Sequence, residues 1–169
     1  MAETKTDKYA NVYLTEVTMS GIDTLTFEQI NIGVSLFDRM GLMIHRIEYI
    51  PADSSYAQII ALIDLIKLGI VSSDQIASLS ANTKAVIDFL SVRSFGSVDG
   101  IMSIRDPIIH SFADLPEGGL LVAPEPLYLA MDTGGFTAVG AAVVRMYYTL
   151  KKMSDADYFE LLETRRYYA

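Results

Sequence analysis

The stretch AVVRMYYTLKKM, residues 142–153, contains two alternating registers of side chains from Val143 to Leu150. Successive side chains of a β-strand point to opposite faces, so this period of two predicts a strand with one face in the core. The register expected to face the core carries Val144, Met146, Tyr148 and Leu150. The register expected to face outward carries Val143, Arg145, Tyr147 and Thr149. The fold should therefore contain a sheet that is covered on one side.

Much of the remaining chain repeats this pattern in short segments bounded by Gly, Pro, Asp or Ser. GLMIHRIEYIP (41–51) is apolar in both registers and predicts a central strand covered on both sides. TLTFEQINI (24–32) changes phase, which predicts a strand with a bulge near Glu28 or Gln29. Further strands are predicted in ANVYLTEVTM (10–19), DFLSVRSF (88–95), GIMSI (100–104) and PLYLAMDT (126–133). Short strands at this spacing predict an all-β fold, an antiparallel β-sandwich or a barrel.

The segment SDADYFELLETRRYY (154–168) predicts a C-terminal α-helix. Ser154 is placed as the N-cap and Asp157 as its reciprocal partner. The face expected to dock on the sandwich carries Tyr158, Leu161, Leu162 and Arg165. An acidic first turn and a basic last turn also suit the helix dipole.

Three other segments have less specific patterns. Residues 57–69, within YAQIIALIDLIKLG, fit either a helix ending at Gly69 or a strand. The neighbouring strands favour the strand, and both alternatives stay open. Short helical turns are predicted in SSDQIASL (72–79) and within residues 26–40.

The length of 169 residues predicts a single domain, 1–169. Residues 1–8 are a polar N-terminus, 9–153 the β-sandwich and 154–168 the helix. Asp64 and Lys67 interrupt the most apolar run, so no membrane span is predicted. The polar N-terminus also predicts that there is no signal peptide.

Composition indicates the kind of partner. Hydrophobic residues make up 51% and charged residues 20%, below the roughly 25% charged residues usual in soluble domains. A surface so poor in charge suggests contact with other protein. The net charge of −8 and the absence of a basic arm argue against strong nucleic-acid binding.

No catalytic signature is present, and the chain is expected not to be an enzyme. The chain has no cysteine, which excludes disulfides and thiolate chemistry. Its two histidines, His45 and His110, have no second ligand at metal spacing, so His45 is interpreted as a hydrogen-bonded structural residue. No serine lies in a nucleophile elbow. No catalytic, cofactor-binding or metal residue is proposed from the sequence, and no cofactor is expected.

Acidic residues and glycine pairs also favour structural interpretations. Gly118-Gly119 and Gly134-Gly135 are followed by neither a Lys-Ser pair nor a helix, so they predict turns. A calcium site using Asp114 or Asp132, for example at a subunit contact, stays open as a minor alternative.

The stretch LPEGGLLVAPEPLYLAMDTGG (115–135) holds three of the five prolines yet is almost entirely apolar. Proline cannot donate to a sheet, so APEP (123–126) is predicted to be a stiff, extended connector. Its apolar neighbours must cover either the end of their own sandwich or a neighbouring subunit, and the low overall charge favours the subunit. The candidate interface residues are Leu120, Leu121, Val122, Pro124 and Pro126, with Tyr167 and Tyr168 at the C-terminus.

From about Tyr9 to Tyr168 the layout resembles a single jelly-roll coat (capsid) protein of a small icosahedral virus of microbes. The resemblance depends on GGLLVAPEPLYLAMDTGG (118–135), AAVVRMYYTLKKM (141–153) and SDADYFELLETRR (154–166). It implies a jelly roll whose copies self-assemble into a homo-oligomeric, icosahedral virion in the host cytoplasm. The N-terminus departs from many such coats, because MAETKTDKYA carries no genome-condensing basic arm.

A different class of function remains open. A β-sandwich or cupin-like ligand-binding module or enzyme would show convergent polar or aromatic groups, or a metal set, around a pocket. Particle size separates the two hypotheses, since such a module would be a monomer or dimer.

Overall fold

The computed structural model describes residues 10–34, 38–59, 64–93, 107–123 and 126–168. The strands formed by these residues are β1 Asn11–Thr18, β2 Thr26–Ile30, β3 Met40–Pro51, β4 Leu65–Val71, β5 Val86–Arg93, β6 Ile108–Ser111, β7 Leu120–Val122, β8 Leu127–Gly134 and β9 Ala141–Lys152. The helices are α1 Asp53–Tyr56 and α2 Asp155–Tyr168, and a 3₁₀ turn covers Pro116–Gly118.

The strands form two antiparallel sheets. Sheet A has the order β1-β9-β3-β6, and β7 also pairs with β3; sheet B has the order β2-β8-β4-β5. The main core cluster contains buried residues of both sheets. The predicted all-β antiparallel sandwich with a short C-terminal helix is confirmed.

Strand β9 confirms the prediction from its alternation. Val144 and Met146 are each 1% exposed, and Tyr148 and Leu150 pack against the main core cluster. β9 lies between β1 and β3, so its backbone is paired on both sides. The predicted central position of β3 is confirmed as well, because β3 pairs with β9 on one side and with β6 and β7 on the other.

The predicted bulge near Glu28 or Gln29 is wrong. β2 pairs with β8 in unbroken register from Thr26 to Ile30. The phase changes because sheet B is covered on both faces: Ile30 lies in the main core, whereas Phe27 packs in a second cluster around Leu79. Apolar residues are therefore needed in both registers, and no extra residue has to be accommodated.

An irregularity in pairing occurs instead in β3. Its register with β9 shifts between Ile44 and Arg46, so that His45 is the extra residue. The shift brings together in the core residues that strict alternation would separate. These residues are Leu42, Ile44, Ile47 and Tyr49, and all four are fully buried.

The segments with less specific patterns had mixed outcomes. The strand interpretation holds for β4, Leu65–Val71, while residues 60–63 lie outside the described residues. No helical turn forms at 72–79, so that prediction is wrong. Within residues 26–40, Thr26–Ile30 is a strand, whereas Asp38 has 3₁₀ conformation, so the predicted turn is confirmed only at Asp38 among the residues described there. GIMSI (100–104) lies outside the described residues.

Helix α2 begins as predicted. The Ser154 hydroxyl accepts a hydrogen bond from the Asp157 amide at 3.2 Å and donates to the Asp157 carboxylate at 2.6 Å. Tyr158 is 4% exposed, and Leu161 and Leu162 are half-buried, so the expected face docks on the body. An ion pair between Arg39 and Asp155 joins the start of the helix to the chain before β3.

The two ends of the sandwich differ. At one end, the Asp23 carboxylate accepts hydrogen bonds from the Thr133 hydroxyl at 2.9 Å and from the amides of Gly135 and Phe136 at 3.0 and 3.2 Å. Buried Ser55 both donates to and accepts from the Ala141 backbone at 2.8 Å. These bonds join the loops of the two sheets, and this end is called the closed end below. Strand β7, α2 and the β4–β5 connection lie at the opposite end.

Candidate subunit-contact surface

Strand β7 is the apolar segment singled out in the sequence. It pairs with β3 through Ile44 with Leu120, Met43 with Leu121, and Leu42 with Val122. All three β7 side chains are half-buried. Leu120 and Val122 pack against the main core cluster, whereas Leu121 is outside it. The segment therefore serves its own fold with two residues and leaves Leu121 available for a different contact.

A cavity of about 490 Å³, here called the strap cavity, lies beside β7. Its walls come from β7, α2, the β4–β5 connection and the starts of β5 and β8. Representative lining residues are Leu121, Val122, Val86, Leu127, Leu161 and Lys84. Lys84 is the one charged residue among the described lining residues. The cavity is therefore an apolar depression with a cation at its wall.

A second cavity of about 660 Å³ lies on the other side of Leu121 and Leu161, which line both cavities. Its described lining is strongly charged and includes Lys152, Glu160 and an ion pair between Lys151 and Glu117. The two cavities thus present different chemistry on either side of one Leu-Leu boundary.

The remaining candidate interface residues are only partly described. Pro124 lies outside the described residues, and Pro126 lies between β7 and β8, as expected for a connector. Tyr167 and Tyr168 belong to the last turn of α2, and their side chains are outside the described part of the chain. The structure thus brings Leu120, Leu121 and Val122 together with Leu161, a contact that the sequence pattern did not reveal.

The outer face of sheet A carries a buried acid between two bases. Glu48 is 4% exposed, and its carboxylate contacts Arg46 at 2.5 Å and Arg145 at 2.9 Å. The Arg46 guanidinium also lies 4.1 Å from the centroid of the Tyr147 ring. Cross-strand register continues this row to Leu14 on β1 and Ile109 on β6.

Apolar side chains flank this charged centre at both edges of the sheet. Val12 and Leu14 on β1 are 55% and 59% exposed, and Ile109 on β6 is 51% exposed. Arg145 faces outward, as its register in β9 predicted, but no pattern within β3 indicated that Glu48 would be buried. The outer face therefore has a charged centre, one acid between two bases, with exposed apolar side chains at both of its edges.

A second polar cluster joins the edges of the two sheets. The Asp88 carboxylate of β5 accepts a hydrogen bond from the Tyr49 hydroxyl at 2.7 Å and contacts His110 Nδ1 of β6 at 2.9 Å. The Tyr49 and His110 rings are edge-to-face at 5.4 Å. The sequence could not reveal this cluster, because its members lie on three strands whose pairing was not predicted.

His45 behaves as the sequence analysis expected. Its Nδ1 lies 2.9 Å from the Gly118 carbonyl and its Nε2 2.9 Å from the Thr149 hydroxyl. Both ring nitrogens are thus engaged, and the bulged residue of β3 is fixed to β9 and to the turn before β7.

Burial, and then the neighbouring Asp88 carboxylate, raise the pKa of Tyr49 well above its ordinary value of 10.0. In the unfolded chain Tyr49 loses its proton near pH 10, while the folded protein keeps it. The unfolded state then binds fewer protons, so folding stability is lost as the pH rises above about 10.

Tyr49→Phe should remove both the hydrogen bond to Asp88 and this pH effect. We expect a loss of about 1–3 kcal/mol at neutral pH, and a shallower fall of stability between pH 10 and 11 than in the unsubstituted protein. Urea unfolding at a series of pH values measures both. Parallel pH profiles would show that Tyr49 does not cause the alkaline loss.

The described residues offer neither a metal-binding cluster nor a membrane-spanning helix. No group of three or more His, Cys, Asp or Glu side chains in that part of the chain could hold a metal ion. Asp132, one of the two calcium candidates, contacts Lys67 at 2.9 Å. No described helix combines the length and the apolar character needed to cross a bilayer.

Comparisons with known proteins give matches among solved structures only. No protein-family model matches the sequence, and no curated protein matches it. A chain from the X-ray crystallographic structure of tomato aspermy virus is similar at a TM-score of 0.47 and 10% sequence identity. The likeness covers 87% of this chain and 80% of that chain. At this score and identity it carries no inference about function.

Proposed function

We propose that this chain is a structural protein whose copies assemble into a closed icosahedral shell, as a virus coat, and that it is not an enzyme. The observation that carries the proposal is the strap cavity, an apolar depression bordered by half-buried Leu121. An apolar depression of this kind marks either a contact with another protein or a ligand-binding groove. The charge-poor composition suits a subunit that covers much of its surface with copies of itself.

We further infer that the sandwich is a jelly roll. The strand orders β1-β9-β3-β6 and β2-β8-β4-β5 support this, because each sheet combines strands from the beginning and the end of the chain. Such an order requires repeated crossing between the sheets, as in the paired Greek keys of a jelly roll.

The proposal extends to partners and location. The partners are other copies of the chain, and the net charge of −8 favours a shell without a basic grip on nucleic acid. The particle would be a virion assembled in the host cytoplasm.

A small-molecule site is the second candidate, because a cavity of about 490 Å³ lies within the size range of ligand pockets. The polar groups of its wall are partly engaged: Ser72 Oγ donates to the Ala85 carbonyl at 3.2 Å and Thr83 Oγ1 to the Ser78 carbonyl at 3.1 Å. Because both hydroxyls already donate their protons to backbone carbonyls, neither can donate a hydrogen bond that would orient a ligand. We therefore favour the protein contact.

Leu121→Ser and Leu120→Ser form a matched pair that tests the proposal. Leu121→Ser should abolish large particles and lower the melting temperature of the subunit only slightly, because Leu121 is outside the main core cluster. Leu120→Ser should lower the melting temperature more, since Leu120 packs against that cluster.

Differential scanning calorimetry and size-exclusion chromatography measure the two effects. If Leu121→Ser leaves the particles intact, or if both variants melt early to the same extent, β7 is only a core element and the proposed contact is wrong.

A further inference from the structure

The most exposed large apolar side chain of the described residues lies two positions before a residue that lines the strap cavity. Phe159 of α2 is 64% exposed, more than any other large apolar residue described. Leu161, two residues later, lines the strap cavity. Two residues correspond to about 200° of rotation around a helix, so Phe159 and Leu161 lie on opposite flanks of α2.

We propose that Phe159 of one copy inserts into the strap cavity of the next copy. This inference rests on the proposed self-assembly and specifies its contact. Because Phe159 and the strap cavity lie on opposite flanks of one helix, the ring cannot enter the cavity of its own copy. Between copies they form a head-to-tail contact, and such contacts close into rings when the rotation between subunits allows.

Charge favours this pairing of surfaces. Phe159 is flanked on its side of the helix by Glu163, one turn later, and by Asp155, one turn earlier. Both acids are exposed, and Asp155 is paired with Arg39. The strap cavity contributes Lys84 as the one charged residue of its described lining. Glu163 of the inserting copy and Lys84 of the receiving copy therefore carry complementary charge.

The second cavity is a less suitable receptor for Phe159. Its described lining is charged and includes Lys152, Asp157, Glu160 and the ion pair between Glu117 and Lys151, and a phenyl ring inserted there would take these charges out of water. The exposed Val12 and Leu14 of β1 are candidates for other contacts, because neither of them lines the strap cavity.

Phe159→Ser tests the inserting side chain, with Val139→Ser as its control. Val139 is 49% exposed and lies in the β8–β9 connection at the closed end, away from α2. We expect Phe159→Ser to raise the protein concentration needed for half-maximal assembly on the order of tenfold or more, without changing the melting temperature of the subunit. Val139→Ser should change neither quantity.

A charge exchange tests the orientation. Lys84→Glu and Glu163→Lys should each weaken assembly, and the doubly substituted protein should recover it, because the complementary pair is restored with reversed sign. Failure of the double variant to recover, with each single variant impaired, would place the two residues in different contacts.

Cross-linking distinguishes the possible geometries, because the natural chain has no cysteine. Phe159→Cys and Asn82→Cys are made as separate proteins, mixed, and treated with a short bismaleimide. Asn82 lies in the lining of the strap cavity. A cross-linked dimer in the mixture, and in neither protein alone, supports the head-to-tail contact. A dimer of Phe159→Cys alone indicates a two-fold contact between helices and overturns the proposal.

The inference and the proposed function can fail separately. If Phe159→Ser forms large particles, and the protein concentration needed for half-maximal assembly is unchanged, the inference is wrong while the proposed self-assembly stands. A small apolar molecule retained by the purified protein, detected by native mass spectrometry and lost in Leu121→Trp, would also overturn it, because the cavity would then already be occupied. If the unsubstituted protein forms no particle at any concentration, the proposed function is wrong as well.

Discussion

Replacing Arg46 and Arg145 together with methionine is expected to lower the free energy of unfolding by about 2–4 kcal/mol. The double change leaves the Glu48 carboxylate, which is 4% exposed, without either arginine partner. The value lies below the cost of an isolated buried charge, because the arginine side chains are 40% and 38% exposed and water can reach the space they leave. Urea unfolding monitored by tyrosine fluorescence measures the loss.

The control for this prediction adds Glu48→Met to the double variant. With all three charges gone, the outer face of sheet A is apolar and most of the lost stability should return, as when a buried ion cluster is replaced by hydrophobic residues. Equal stabilities of the double and triple variants would contradict the role assigned to Glu48. They would mean that the arginines stabilise the sheet through packing alone.

Gly135→Ala is expected to cost about 3 kcal/mol or more, and Gly118→Ala only about 1–2 kcal/mol. Both glycines have a left-handed backbone, with φ of +80° and +73°, so both substitutions strain the chain. They differ in space: a Cβ on Gly135 would lie 2.2 Å from Asp64 Oδ1, whereas a Cβ on Gly118 would meet nothing within 4 Å. The difference between the two variants therefore isolates the clash.

Asp64→Ala in the Gly135→Ala background checks this assignment. If the clash with the carboxylate causes the extra loss, the double variant should be more stable than the sum of the two single changes predicts. Thermal unfolding of the four proteins gives the coupling energy. Strict additivity would mean that Gly135 is required only for its backbone conformation.

The sequence predicted those elements whose signals are local. In β9, alternation alone identified the face carrying Val144 and Met146, because a half-covered strand has one apolar register. Helix α2 was predicted from Ser154 and Asp157, since a capping box needs only residues three apart. Neither prediction depended on knowing which strands are neighbours.

Features that depend on strand pairing could not be predicted. The register shift at His45 exchanges the two faces of β3 midway, and its sequence, apolar in both registers, contains no sign of where this happens. The phase change in β2 resembled a bulge because sheet B has a second apolar cluster on its outer face. The helix α1 is a single turn, too short to produce a periodic pattern.

Of the candidate surface, the sequence indicated the residues of β7 but not the elements that pack beside them. Leu120, Leu121 and Val122 stood out because apolar residues between a glycine pair and prolines must pack against something. Leu161 lies 40 residues after Leu121, and Val86, on the second side of the strap cavity, lies 35 residues before it, so only the fold brings them together. Phe159 was not singled out, although the predicted docking face of α2 leaves it outside, because single exposed apolar residues are common on protein surfaces.

Sedimentation velocity of the purified, unsubstituted chain, combined with negative-stain electron microscopy of the same sample, measures self-assembly itself. We expect closed, uniform particles many times the mass of one subunit, in equilibrium with free subunits as the protein is diluted. A single species of monomer or dimer mass at every concentration tested, with no particles on the grid, would contradict it.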